Sequence, residues 1–166
     1  MSIPRANKLF SCWALLASFW MVVGVNPNMA SSDKGTAVDE ALRSLRKINS
    51  AINVGVTYSQ YGPLVIDAKA LVDEALLATN NNETKSKLNT IMGCYADALS
   101  IWNAKVQYRK DAIFSNEGLN SSMIKKWGMP TKELDYDGGK TTYIEIEDAL
   151  QFLWAKASKE LSTLAK

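Results

Sequence analysis

Histidine is absent from all 166 residues. That excludes a Ser-His-Asp or Cys-His triad, a zinc site with imidazole ligands and a His-ligated haem. Cysteine is nearly absent: Cys12 lies near the N-terminus and Cys94 stands alone in the rest of the chain. No CxxC or CxxCH spacing occurs, and a lone thiol cannot close an internal disulfide, so stability has to come from packing. An excess of one charge is missing as well. The formal net charge is +2, but Arg5 and Lys8 account for it, and from Ser31 onward 17 basic residues face 17 acidic ones. A neutral chain lacks the basic surface that displaces counterions from nucleic acid, so no nucleic-acid partner is expected. Long hydrophobic runs are missing too, with one exception.

The exception is Leu9–Val25, 17 residues without a charge, behind the short basic stretch MSIPRANK. A positive start, an apolar stretch and small residues afterwards predict a secretory signal over residues 1–30, cut after Ala30 in NMA-SSD. The alternative is an uncleaved membrane anchor over residues 9–25, since 17 residues sit at the short limit for a spanning helix. A lipoprotein reading through Leu9-Phe10-Ser11-Cys12 fails, because the apolar run follows that cysteine. The chain is therefore expected to be exported, periplasmic or secreted, with a membrane contact only if the segment is retained.

Residues 31–166 are enough for one domain with its own core. Hydrophobic residues make up 47% of the chain and charged ones 22%, the balance of an ordinary globular protein. The organising stretch is Tyr58–Leu76. Tyr61, Leu64, Val65, Ala68, Leu71, Val72 and Ala75 follow helical spacing and share one face, with Leu71 near its centre and Asp73 turned to solvent. The helix starts either near Tyr58 with a kink or late with Pro63 at its first position; Thr57 is a candidate cap. Ahead of it, residues 36–53 present Val38, Ala41, Leu42, Leu45, Ile48 and Ile52, and Gly55 breaks the chain. Behind it, after Asn80-Asn81-Asn82, a third helix is predicted over 83–114. Its stripe runs from Leu88 through Tyr95, Trp102 and Val106 to Ile113, and Arg109 projects onto the same face. Residues 115–141 read as an irregular crossover with one helical turn at 123–127. The last helix is predicted from Thr142, where Thr142 and Glu145 fit a capping box. The expected fold class is all-α: a four-helix-bundle-like domain. The competing arrangement merges the first two segments into one long bent helix.

Chemistry is sparse. Gly139-Lys140-Thr141 ends like a phosphate-binding loop, but the position of its first glycine is Leu134 and no buried strand precedes it. Glu133, Asp135, Asp137 and Gly138 match early positions of a calcium loop, but Ile144 stands where an acid is required and Glu145 comes one residue late. Asp135, Asp137 and Glu145 remain as weak metal candidates. Asp73 and Glu74 are neighbours on a helix and diverge, with Lys69 four residues before Asp73 for a weak pair. Asn82-Glu83-Thr84 and Asn120-Ser121-Ser122 match the glycosylation pattern, which arises often by chance. Tyr58, Tyr61, Tyr95, Trp102 and Trp154 are first of all packing residues; with Arg109 they could also line a pocket between helices.

The run GVTYSQYGPLVIDAKALVDEA (Gly55–Ala75), followed by YADALSIW (Tyr95–Trp102) and LWAKAS (Leu153–Ser158), resembles a loose group of uncharacterised exported bacterial proteins. These are helical and share a Y-x-x-Y-x-x-L…A-K pattern, a later Y-x-D-A…W and a Trp-containing C-terminal helix. The resemblance implies the helical architecture and a bacterial origin, and carries no activity or site. No catalytic residues and no cofactor are expected. The sequence thus favours a non-enzymatic module for a protein or small-molecule ligand. The alternative from another class is a metal-assisted hydrolase using the acids of residues 133–148.

Overall fold

The computed structural model describes residues 30–116, 118–136 and 138–164. The expected signal segment, apart from Ala30, lies outside them, as does Asp137. Three helices come first: α1 (Ala30–Val54), α2 (Tyr58–Ala78) and α3 (Asn82–Tyr108). Then follow β1 (Ala112–Phe114), α4 (Gly118–Trp127), β2 (Lys132–Tyr136), β3 (Gly139–Glu145) and α5 (Ile146–Leu164). The protein is mostly helical. Among the described residues no helix is long and apolar enough to cross a membrane.

Local chemistry sets the ends of the early helices. Gly55, at φ +89°, ends α1 in a backbone region that side chains disfavour. The Thr57 N–H donates to Gln60 Oε1 at 3.1 Å, so α2 starts at Tyr58 and Pro63 sits inside it. That location is tolerable because only the second turn loses a hydrogen bond there. Asn81 Oδ1 caps α3 by accepting from the Thr84 N–H at 3.0 Å.

The face assigned to α2 needs one correction. Tyr61, Val65, Ala68, Val72 and Ala75 are buried, whereas Leu64 and Leu71 are only partly so. At 100° per residue the buried set centres near Val72, and Leu71 falls roughly 80° to one side. Leu71 is therefore a flank of the stripe, not its centre.

A second correction concerns residues 109–145. The third helix ends at Tyr108 instead of running to 114, because Arg109 turns left-handed at φ 52° and closes it. The last helix starts at Ile146, so Thr142 and Glu145 form no capping box and belong to β3. Within the segment read as an irregular crossover stand the ten-residue α4 and most of a three-stranded antiparallel sheet of order β1-β3-β2. β2 and β3 are a hairpin with Leu134 opposite Thr141 and Tyr136 opposite Gly139. β1 pairs Ile113 with Ile144 and Ala112 with Glu145. This register returns the chain to the end of α3 before α5 begins, and the Ile146 N–H donates to the Asp111 carbonyl at 2.9 Å. α5 therefore runs back along α3.

The long helices pack in a ring: α1 on α2, α2 on α3, α3 on α5, and α5 on α1. Leu45, Ile48, Tyr61, Val72, Leu88, Ile91, Ile101 and Leu153 lie inside it, each at 1% exposure or less. Burying an aliphatic side chain of this size contributes about 1.5–3 kcal/mol, and this is where the fold is held. From the sheet, Ile113 and Ile144 join the same core.

Candidate functional site

Four aromatic rings from three helices meet where the start of α2 crosses the later turns of α3 and the first half of α5. Tyr58 meets Trp102 edge-on at 5.9 Å between centroids, and Tyr61 lies 5.6 Å from Trp102. Trp154 closes the group, 5.9 Å from Tyr61 and 5.6 Å from Trp102, both edge-on. Edge-to-face packing sets the positive ring edge against the negative face and adds to the burial energy.

The hydroxyls of Tyr58 and Tyr61 and the Trp154 indole N–H all have partners. The Trp154 indole N–H donates to Tyr61 Oη at 3.1 Å, and that hydroxyl donates to the Tyr95 carbonyl at 3.0 Å. Tyr58 Oη donates to Asn103 Oδ1 at 2.7 Å. Burial holds the Tyr61 phenol well above its ordinary range. The Tyr95 hydroxyl is the exception: it is fully buried and has no hydrogen-bond partner, and burial also pushes its phenol up. Tyr58, Trp102 and Trp154 keep part of their surface open.

Of the residues proposed for a pocket, Tyr58, Tyr61, Trp102 and Trp154 thus come together, and Tyr95 joins through its carbonyl. Arg109 does not. It is exposed, and as the left-handed cap of α3 it has left the stripe on which helical spacing put it. The array is packed ring on ring. The open space beside it is a cleft of about 420 Å³ at the α1–α2 junction, lined by Ala51, Val54, Val56, Gln60, Pro63 and Leu64 with Gly55. Sequence reasoning passed over this cleft, although Val54, Val56 and Pro63 are apolar residues in and beside a turn, where polar ones are usual.

The metal candidates separate. Asp135 stands in β2 opposite Lys140, whose Nζ is 3.6 Å away, and Glu145 ends β3 at the other end of the hairpin with Lys132 Nζ at 2.6 Å. Asp137 lies outside the described residues. Among the described residues no three acidic or thiol groups gather as metal ligands would. Lys140 sits in a strand, not before a helix N-terminus. Comparison with family models, with curated proteins and with solved structures finds no match for this chain.

Proposed function

We propose that this chain is a non-enzymatic binding or interaction module that works outside the cytoplasm. Its scaffold is read as a four-helix bundle, α1, α2, α3 and α5, with α4 and the sheet inserted before the last helix. The observation that carries this reading is the pairing of the apolar α1–α2 cleft with the aromatic array. Both are built on the first turns of α2: Gln60, Pro63 and Leu64 face the cleft, while Tyr58 and Tyr61 face the rings. A concave apolar surface backed by rigid aromatics with polar tips is the ordinary composition of a ligand site. The export part rests on residues 1–30, which are read as a signal removed after Ala30.

The test is native mass spectrometry of the full chain recovered from its own cell. The expected result is a retained ligand or partner on a chain starting at Ser31, and loss of that mass in Val56→Asp, which puts a charge into the cleft. A bare chain in every gentle preparation would overturn the binding reading. An intact N-terminus at Met1 in the membrane fraction would overturn the cleaved signal.

A further inference from the structure

The sheet of order β1-β3-β2 has β2 at one edge. Every second residue of such a strand turns its N–H and C=O away from the sheet, so the edge offers a row of donors and acceptors. Among the described residues the backbone of Lys132, Glu133, Leu134 and Asp135 bonds to β3 and to nothing else, and all four residues are exposed. Groups in this arrangement are satisfied together by a further extended strand.

Two features say which strand. The first is a hollow of about 370 Å³ at the foot of β2, between Pro130 and Thr131 on one side and Asp148 and Phe152 of α5 on the other. It reaches Ile144, which is 2% exposed and belongs to the core. Lys132 stands opposite Tyr143, so Thr131 is level with Ile144. Side chains alternate along a strand, so Thr131, Glu133 and Asp135 share the face of Ile144. The second feature is charge. Lys140 Nζ lies 3.9 Å from Glu133 and 3.6 Å from Asp135. Lys132 Nζ lies 2.6 Å from Glu145 and 3.4 Å from Asp148. Each lysine serves two carboxylates, so these six groups leave two negative charges over. Charges of this kind keep apolar and acidic strands off an edge. They favour a basic one.

We propose that β2 and the hollow at its foot dock an extended basic segment of a partner protein, which joins the sheet as a fourth strand. An apolar anchor of that segment fills the hollow beside Ile144 and Phe152. Its lysines or arginines, two and four residues from the anchor, lie level with Glu133 and Asp135, because those two share a face with Thr131. The surface is separate from the α1–α2 cleft.

The experiment titrates the full chain by calorimetry in low salt with the peptide Lys-Thr-Lys-Thr-Phe-Thr-Lys-Thr-Lys, which shows the same pattern whichever way it runs. Binding is expected, it should weaken as salt is added, and amide hydrogen exchange within β2 should slow. The peptide Thr-Lys-Thr-Lys-Phe-Lys-Thr-Lys-Thr has the same composition but turns its lysines to the other face, so it should bind about three- to tenfold more weakly. Serine in place of the Phe in the first peptide should weaken binding at least about tenfold. Glu133→Gln combined with Asp135→Asn alters two exposed side chains, so helical circular dichroism should not change. That variant should bind the first peptide no better than the second. Two peptides bound equally by the wild type, or a first peptide bound equally by the double variant, would overturn the proposal. So would no binding of the first peptide by the wild-type chain up to millimolar concentration. A dimer in sedimentation that the double variant dissolves would give the edge to a second copy, and would overturn it as well.

Discussion

The ring of long helices and the segment from Arg109 to Glu145 are held together in different ways. In the ring, helix faces pack on one another, and α2, α3 and α5 bury five, eight and six residues in them. In the segment, the sheet sends Ile113 and Ile144 inward, and much of the rest is exposed pairing. Lys132 bridges Glu145 and Asp148, and Lys140 lies between Glu133 and Asp135. Exposed ion pairs of this kind contribute little to stability. The difference assigns most of the stability to the ring, to which Ile113, Ile124, Met129 and Ile144 tie the inserted segment.

The largest expected effect tests that division directly. Leu153, fully buried on α5, should cost about 2–5 kcal/mol as Leu153→Ala, from lost burial and the cavity left behind. Leu134, on the hairpin and 41% exposed, should cost less than about 0.5 kcal/mol as Leu134→Ala. Urea midpoints at equal slope measure both. Comparable losses at the two positions would show that the sheet shares the core's load, and the comparison would fail.

Alkaline titration sharpens it from another side. Burial raises the Tyr61 and Tyr95 phenols and pushes the Cys94 thiol up to about 12, and all three groups belong to the ring. Each therefore keeps its proton in the folded chain at a pH where the unfolded chain has lost it. The folded state then binds more protons, and stability falls as pH rises. This contribution is fully present below the ordinary thiol and phenol range and is lost progressively above about pH 9, where an unperturbed thiol begins to ionise. Thermal melts from pH 7 to 11 should show a flat region and then a decline, and Cys94→Ala should delay its onset. An onset unchanged in Cys94→Ala would remove the thiol from the account.

Two tyrosines in the ring should respond in opposite ways to the loss of one oxygen. Tyr61→Phe leaves the Trp154 indole N–H without its partner and removes a second bond to the Tyr95 carbonyl, so it should cost about 1–3 kcal/mol. Tyr95→Phe removes a buried hydroxyl that has no partner, so stability should stay level or rise. Equal losses in urea melts would mean that Tyr95 makes a hydrogen bond in solution.

The same division governs what could be read from the chain. The stripes of the ring are legible because burial recurs at a helical period in helices of 19 residues or more. The four aromatic contacts are within reach for the same reason, since Tyr58, Tyr61, Trp102 and Trp154 all fall on or beside such stripes. The sheet was missed because its signals imitate helical ones. Ile113 comes seven residues after Val106, as a helix would have it, and Thr142 with Glu145 copies a capping box. Strand alternation gives no counter-signal: in β3 the buried residues are Thr141 and Ile144, three apart and so on opposite faces, and of the two only Ile144 joins the core. The one clear sign in the sequence is the Asp-Gly dipeptide between KELDY and GKTTYI, a pair favoured in hairpin turns. It also fits a cation loop, but Glu133, Asp135 and Glu145 stand instead beside lysines of the neighbouring strand. The close approach of the Trp127 indole to Gly93 leaves in the sequence only an isolated glycine in a helical pattern, 34 residues before its partner.

The smallest effect asks how finely the helical period resolves a surface. On α2, three consecutive residues sit at three depths: Leu71 is half-buried, Val72 is 1% exposed, and Asp73 is exposed. Val72→Ala removes two methyl-sized groups from the core and should cost about 1–3 kcal/mol, while Leu71→Ala, on the flank, should cost less than a buried leucine would. Asp73→Ala breaks its pair with Lys69, in which both side chains are about half exposed. Water and salt screen such a pair, so the change should stay within about 0.5 kcal/mol and shrink further in 0.5 M salt. The order Val72, Leu71, Asp73 is what the geometry requires of urea midpoints. If Leu71→Ala proves the most costly of the three, the buried face turns back toward Leu71, and the ring must be packed on a rotated α2.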